Sequence, residues 1–562
     1  MAPLRWSSAL LLLIAAGKFA HSEEEPSVED IVRHRLLTGF KEGCDAEAST
    51  VRSLQSAVKT AYGDMRKREG RSPLSEDSLY TEVQETFAQD NSAYTQKLMT
   101  FRVRKHSEAG DGQLLGTLAE EGAEDKCSVV RLHLKKVGVS VLSLAECPMV
   151  ASDMDVAVSA FEDDDCTSFV ERDAVVHLYP TFEGPPHPEQ AQQTIGPSKT
   201  FDSPLAYWLE VTGVDRAWSR HSCVRDVVVG VIDTGVATSH PDLRSNMWQN
   251  EYEVPGNGID DDRNGYVDDV NGYDFYLKRP AVTDGHGHGT HVAGIIGAVP
   301  TTTAARGVCK NVSIAGLRFL DSQGSGATSD AIEAINYAIE MDFHMTSNSW
   351  GGPDVSSGLL QAIKRASAVD QLFVAAAGNS GNNADTFPEY PAAYRVENII
   401  SVAATDESDR LANFSNYGKH AVHIAAPGVF IYSTFPPATA KTLSGTSMAT
   451  PVISGVAAML LSIRPMAVSE VKELLFGTAE RPRSLKDKLI TNGRVNAAFA
   501  MCMADLKGQT REFSTGKPRT LIAFKAECRL RRSAWNPVAS EFLLSARESM
   551  SLEALSFGVL VG

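Results

Sequence analysis

The run DVVVGVID, Asp226–Asp233, sets six apolar or glycine residues between two aspartates. A half-exposed strand or an amphipathic helix would break such a run with a polar residue, so it predicts a strand buried on both faces. VSIAGLRFL (312–320), QLFVAAAGN (371–379), NIISVAAT (398–405) and HAVHIAAPG (420–428) repeat the signal. Between them, SDAIEAINYAIE puts Ile332, Ile335 and Ile339 on one helical face, and 356–370 and 469–479 also read as helices. Strand–helix alternation from about Phe201 to Met503 predicts a parallel sheet with helices on both faces, with ligand sites at the carboxyl ends of strands.

Working outward, residues 23–110 are polar, with a helical rhythm at Val51, Leu54 and Val58. From Cys127 to Tyr179 short apolar runs alternate with turns, as in a small α+β module. The proline-rich stretch from Pro180 to Lys199 predicts an extended, exposed linker and a natural site of proteolysis. Residues 1–22 combine Arg5, a short apolar stretch and Ala20-His21-Ser22, as in a secretory signal rather than a membrane span. The end of the chain, from about 506 to 562, loses the alternation; no role follows from it.

Of 562 residues 43% are hydrophobic, enough for a large core, and a net charge of -17 argues against nucleic acid as a partner. Eight cysteines suit an oxidising compartment. Four fall in the first third and four later, leaving three pairings open in each part. Asn311 and Asn413 head N-glycosylation sequons.

Three stretches at strand or helix ends carry candidate chemistry. VGVIDTG ends a strand on Asp233, DGHGHGTHVAG opens a helix at His288, and SGTSMATP opens another at Ser447. A serine hydroxyl attacks only if a base takes its proton, and an imidazole base needs a carboxylate to fix its tautomer. Pro451 is expected in the first turn of its helix, where a missing N–H costs nothing. Asn379, just past a strand end in FVAAAGNSG, could donate to a developing oxyanion. Singly, these residues also suit a turn aspartate, a loop histidine, a helix N-cap and a turn asparagine.

VIDTGV with HPDL, then HGTHVAG, SNSWGGP, AAAGN and SGTSMATP occur in the order Asp, His, Asn, Ser. Over roughly 203–500 this resembles the subtilisin family of serine peptidases. The resemblance implies an α/β fold, a three-layer sandwich with a mainly parallel central sheet. It implies that Asp233 orients the base, His288 is the base, Ser447 attacks, and Asn379 with the Ser447 amide holds the oxyanion. SFVERDAVVHLYP resembles the closing strand of the family's inhibitory propeptides. The expected organisation is a signal (1–22), a prosegment extension (23–105), a small α+β propeptide domain (106–195), a catalytic domain (196–505) and a tail (506–562). The protein is then a secreted or secretory-organelle endopeptidase, made as an autoprocessing zymogen. It acts on protein or peptide substrates as a monomer, without a membrane span, inhibited intramolecularly by its own propeptide.

GNGIDDDRNGYVDDVNGYDF carries alternating acids: counting Asp260 as first gives Asp262, Asn264, a sixth-place Gly265 and the Tyr266 carbonyl. This is the front half of an EF-hand-type loop, and such hard oxygens suit Ca²⁺. Asn271 stands where the twelfth-place glutamate belongs, so a full EF-hand is not expected. Relatives carry calcium-binding insertions here, which adds Asp269 as a ligand, and Asp242 matches a ligand of a separate family site. SNSWGG, with Ser349, Trp350 and Gly351, resembles the segment that pairs with an extended substrate. Gly378 belongs to the same cleft, and Glu389 is placed at the floor of the pocket for the residue before the cut, favouring Lys or Arg.

Overall fold

The computed structural model describes residues 27–68, 79–105, 126–146, 150, 154–184, 206–219 and 221–512. The expected signal, most of the linker and residues 513–562 lie outside the described residues. Among the described residues no helix is long and apolar enough to cross a membrane.

Val228–Asp233 is the third strand of a seven-stranded sheet. In spatial order the strands are Gly272–Asp274, Ser313–Arg318, Val228–Asp233, Met345–Asn348, Leu372–Ala376, Ile399–Thr405 and Ile424–Pro427. Every neighbouring pair is parallel. Alternation along Val228–Asp233 separates two cores. Val229 and Val231 join the cluster under helices His288–Gly297 and Thr446–Leu461. Val228 and Ile232 face the cluster under Thr328–Glu340 and Ser357–Ala368. The catalytic part is therefore the expected three-layer sandwich, its strand ends converging on one rim.

The N-terminal part does not divide at 105/106. Its antiparallel sheet runs Leu79–Asp90, Tyr94–Lys105, Lys126–Leu134, Val139–Glu146, Arg35–Phe40, Thr167–Arg172. Arg35–Phe40, expected in a separate extension, lies between Val139–Glu146 and Thr167–Arg172 and pairs with both. One face carries helices Ala46–Arg68 and Met154–Glu162, with Leu54, Val58, Met154 and Phe161 buried on it. The other face puts Leu37, Val139 and Val141 against Ile332, Ile335, Leu359 and Ile363 of the catalytic part. A Cys44–Cys166 disulfide ties the module together, and Cys223–Cys309 crosses the catalytic part.

Two carboxylates of this module cap helices of the other. Glu171 accepts from Ser356 Oγ at 2.6 Å, Ser357 N at 2.8 Å and Gly358 N at 3.1 Å, at the start of Ser357–Ala368. Asp173 accepts from Ser329 N at 3.0 Å and Ser329 Oγ at 2.6 Å, at the start of Thr328–Glu340. Helix N-termini leave N–H groups unpaired and favour negative charge, so the docking is stereospecific.

Candidate active site

Asp233 is the last residue of its strand and fully buried. Its carboxylate faces His288 Nδ1 at 2.8 and 3.0 Å and accepts from Thr234 N at 2.8 Å. His288 opens a helix behind Gly287, whose φ of 98° lets the chain turn there. With Nδ1–H held by a carboxylate, the imidazole keeps its lone pair on Nε2, the tautomer a general base requires. Nε2 is buried and meets no hydrogen-bond partner among the described residues.

Ser447 is the second residue of Thr446–Leu461. Its hydroxyl donates to the Ser349 carbonyl at 3.2 Å rather than to His288. Pro451 sits in the second turn of this helix, not the first. Lacking an N–H, it leaves the Ser447 carbonyl without its i+4 donor. Ser349 Oγ fills the vacancy at 3.1 Å, so the Ser447 carbonyl is tied to the cleft wall. Asn379 Oδ1 accepts from Thr446 N at 2.9 Å and Thr446 Oγ1 at 2.7 Å. Both donors fix the amide so that Nδ2 points across the Ser447 mouth, an orientation the isolated Asn379 motif did not reveal.

The cleft is filled by the chain itself. Val175–Leu178 is the central strand of a three-stranded sheet, antiparallel to Ser325–Ala327 on one side and Trp350–Gly351 on the other. Phe182–Glu183 then pairs with Ser444 and Leu443. The stretch from Pro180 to Gly184 is therefore paired along the catalytic rim, with Pro180, Phe182 and Glu183 still exposed, instead of beginning a free linker. Asn379 Nδ2 donates to the Pro180 carbonyl at 2.8 Å. Tyr179 is buried, in a slot that only glycine permits: a Cβ on Gly351 would come within 2.1 Å of its hydroxyl. Glu389 lines this slot beside Gly378, accepting from Ser380 Oγ at 2.9 Å and Asn416 Nδ2 at 3.0 Å. Burial and then the Glu389 charge push the Tyr179 phenol well above its ordinary pKa, though its hydroxyl makes no well-formed hydrogen bond. The side chain in the slot is that of Tyr179 but the carbonyl at Asn379 is that of Pro180, so the seated strand is one residue out of the register in which both would come from the residue before a cut.

An Asp–His pair, a serine at a helix mouth and an amide donor thus surround an extended strand, in chain order Asp, His, Asn, Ser. Residues 224–512 match the subtilase family model. The chain belongs to the subtilase family. It is 37% identical to subtilisin DY of Bacillus licheniformis over 277 residues, 49% of this chain and 91% of that protein. It is 39% identical to thermitase of Thermoactinomyces vulgaris over 274 residues, 49% of this chain and 88% of that one. Subtilisin-like protease 2 of Plasmodium falciparum is 35% identical over 294 residues, 50% of this chain but 21% of that protein. The subtilase is accordingly a serine endopeptidase.

The acidic loop of this subtilase gathers three carboxylates, of which Asp262 and Asp269 are among the expected ligands and Glu253 is not. Carboxylate oxygens of Glu253, Asp262 and Asp269 lie within 4.8 Å of one another. Asn250 Nδ2 bridges Asp262 and Asp269 at 2.9 and 3.0 Å, and Asn264 Nδ2 reaches Asp269 at 2.9 Å. Asp260 is turned to the backbone, accepting from Asn264 N at 3.0 Å and Gly265 N at 2.9 Å. Tyr266 buries its ring among Tyr94, Tyr273, Phe275 and Tyr337. Glu253, outside any EF-hand register, was invisible to the motif and brings a third carboxylate to Asp262 and Asp269. Burial pushes Asp269 up to about 6, a cost that a cation held by these hard oxygens would offset.

Among the described residues Asp242 joins no cluster of three carboxylates, and its oxygens face a loop. Its carboxylate accepts from Thr301 N and Oγ1 at 2.8 and 2.6 Å, Thr302 N at 2.7 Å, and Thr303 N at 3.0 Å and Oγ1. Burial opposes its ionisation, but the Thr301, Thr303 and Thr302 donors outweigh this and bring it to about 2. With five donors, it anchors the 301–303 loop.

Proposed function

We propose that the enzyme is a secreted, calcium-stabilised endopeptidase made as an autoprocessing zymogen, with Asp233, His288 and Ser447 as its triad. The observation that carries this is the buried Asp233–His288 pair beside Ser447, with Asn379 already donating to a backbone carbonyl in the cleft. Ser447 Oγ attacks the substrate carbonyl while its proton passes to His288 Nε2. Asp233 steadies the imidazolium through Nδ1–H, and Asn379 Nδ2 with the Ser447 N–H holds the oxyanion. His288 then protonates the leaving amine, and water repeats the sequence to free Ser447.

Residues 23 to about 195 act as the inhibitor. In their seated form Ser447 Oγ is turned onto Ser349 and His288 Nε2 is left unengaged, which suits a resting state. Ser349, Trp350, Gly351, Gly378 and Glu389 form the substrate side of the cleft, with Glu389 selecting a side chain that brings a cation or a donor. Glu253, Asp262 and Asp269, with Asn264 and the Tyr266 carbonyl, would hold Ca²⁺, whose role is to neutralise the loop. The disulfides suit the secretory pathway.

The test is the full chain beside Ser447→Ala, followed by intact mass and N-terminal sequencing with and without a calcium chelator. Trimming of wild type near 180–202, with the variant left whole, is the expected result. If both stay whole and wild type ignores a fluorophosphonate probe, the chain is a silent relative that binds peptides without cutting them.

A further inference from the structure

The hairpin Leu79–Asp90 and Tyr94–Lys105 is added at the outer edge of the N-terminal sheet, and its turn reaches away from the cleft to the acidic loop of the catalytic part. Tyr94 Oη donates to the Gly265 carbonyl at 2.9 Å, and its ring meets Tyr266 edge-on at 5.7 Å. Asn336 Nδ2 donates to the Ala93 carbonyl at 3.2 Å from the neighbouring helix. Tyr94 is only 7% exposed. The turn is built for this contact: Asn91 Oδ1 accepts from Ala93 N at 3.0 Å and Tyr94 N at 2.7 Å. The fit leaves no room on the loop side. A Cβ on Gly265 would come within 2.5 Å of both Asn91 Nδ2 and Tyr94 Cε1.

The same loop backbone is gripped from within by its acids. Gly265 N and Asn264 N donate to Asp260, Asn264 N also to Asp262, and the Asn264 amide to Asp269. The carbonyl offered to Tyr94 therefore belongs to a residue that Asp260 grips directly and that follows Asn264, which Asp262 and Asp269 of the cation set hold in place.

We propose that this hairpin is a second anchor of the N-terminal module, so that the module leaves only by releasing both cleft and acidic loop. Calcium affinity and module retention are then linked, each strengthening the other. The inference rests on the reading of the module as the inhibitor of the cleft.

The experiment uses the full Ser447→Ala chain with residues 190–196 replaced by a site-specific protease sequence. The chain is cut, and release of the module is followed by gel filtration. In calcium the parent should hold its module, Tyr94→Phe should release it severalfold faster, and Tyr94→Ala at least tenfold faster. A chelator should speed release from the parent but change Tyr94→Ala less than twofold. Release within twofold of the parent for both variants overturns the anchor while leaving the inhibitor reading intact. An equal chelator effect on all three overturns the link to the loop. A parent module that falls away at once on cutting overturns the inhibitor reading and the anchor together. The phenylalanine variant, which removes only the hydroxyl, keeps the test meaningful should Tyr94→Ala fail to fold.

Discussion

Asn379 Nδ2 lies 2.8 Å from the Pro180 carbonyl, while its Oδ1 is locked by two donors from Thr446. Thr446, beside Ser447, thus aims the Asn379 donor, which in the proposed mechanism meets the oxyanion. Asn379→Ala should lower kcat by about 10²–10³, the loss known for subtilisin itself, with KM little changed. Thr446→Val keeps the backbone donor but loses the hydroxyl and should lower kcat roughly tenfold. Steady-state kinetics on a peptide substrate check both; an unchanged kcat in Asn379→Ala would remove it from the oxyanion site.

Glu389 sits beside a slot that a tyrosine side chain now fills. Glu389→Gln should cut kcat/KM for substrates with Lys or Arg before the scissile bond by more than tenfold, and leave apolar residues there unaffected. A library cleavage profile reads this directly. An identical profile would assign Glu389 only to holding Ser380 and Asn416 in place.

Calcium should stabilise the fold through Glu253, Asp262 and Asp269. At calcium a hundredfold above its Kd the gain is about 2.7 kcal/mol, several degrees in Tm. Chelation should remove that increment, and Glu253→Gln or Asp262→Asn should make Tm indifferent to the chelator. Asp242→Asn should lower Tm in both conditions alike, because its carboxylate serves Thr301–Thr303.

His291 is fully buried, and burial pushes it down to about 3 from 6.5. The unfolded chain therefore takes up a proton below pH 6.5 that the folded chain refuses. Its contribution to stability is complete above pH 6.5 and is lost as pH falls toward 3, at about 1.4 kcal/mol per pH unit. His291→Asn should flatten the dependence of unfolding free energy on pH between 6 and 4 by about one proton. An unchanged slope would place the titration elsewhere.

Much of this was legible in the chain because buried strands are written as apolar runs. Val228–Asp233, Ile399–Thr405 and Ile424–Pro427 fall inside the stretches read as strands. Met345–Asn348 escaped. It is a central strand whose Thr346, Ser347 and Asn348 are all fully buried, and Asn348 Nδ2 pairs with Thr346 Oγ1 and the Val374 carbonyl. Polar side chains that find donors or acceptors inside the fold can be buried, even where, as at Asn348 Oδ1, one atom meets no partner among the described residues, and periodicity cannot see them. Glu253 and Tyr94 escaped for another reason: each finds its partner across the fold, where spacing carries no information. The division at 105/106 failed because Arg35–Phe40 pairs with strands more than 90 residues later.

The strand Val175–Leu178 has neighbours on both sides, only one strand-width apart. Whatever replaces it must be extended from there to the Phe182–Glu183 position, a span of about 30 Å at roughly 3.3 Å per residue. No helix or tight turn fits such a gap. A folded protein becomes cleavable only where some nine residues can peel away from their own structure. The enzyme would then choose its cuts by the local melting of its targets more than by their letters, and a partner that stiffens a loop would protect it as well as a changed sequence.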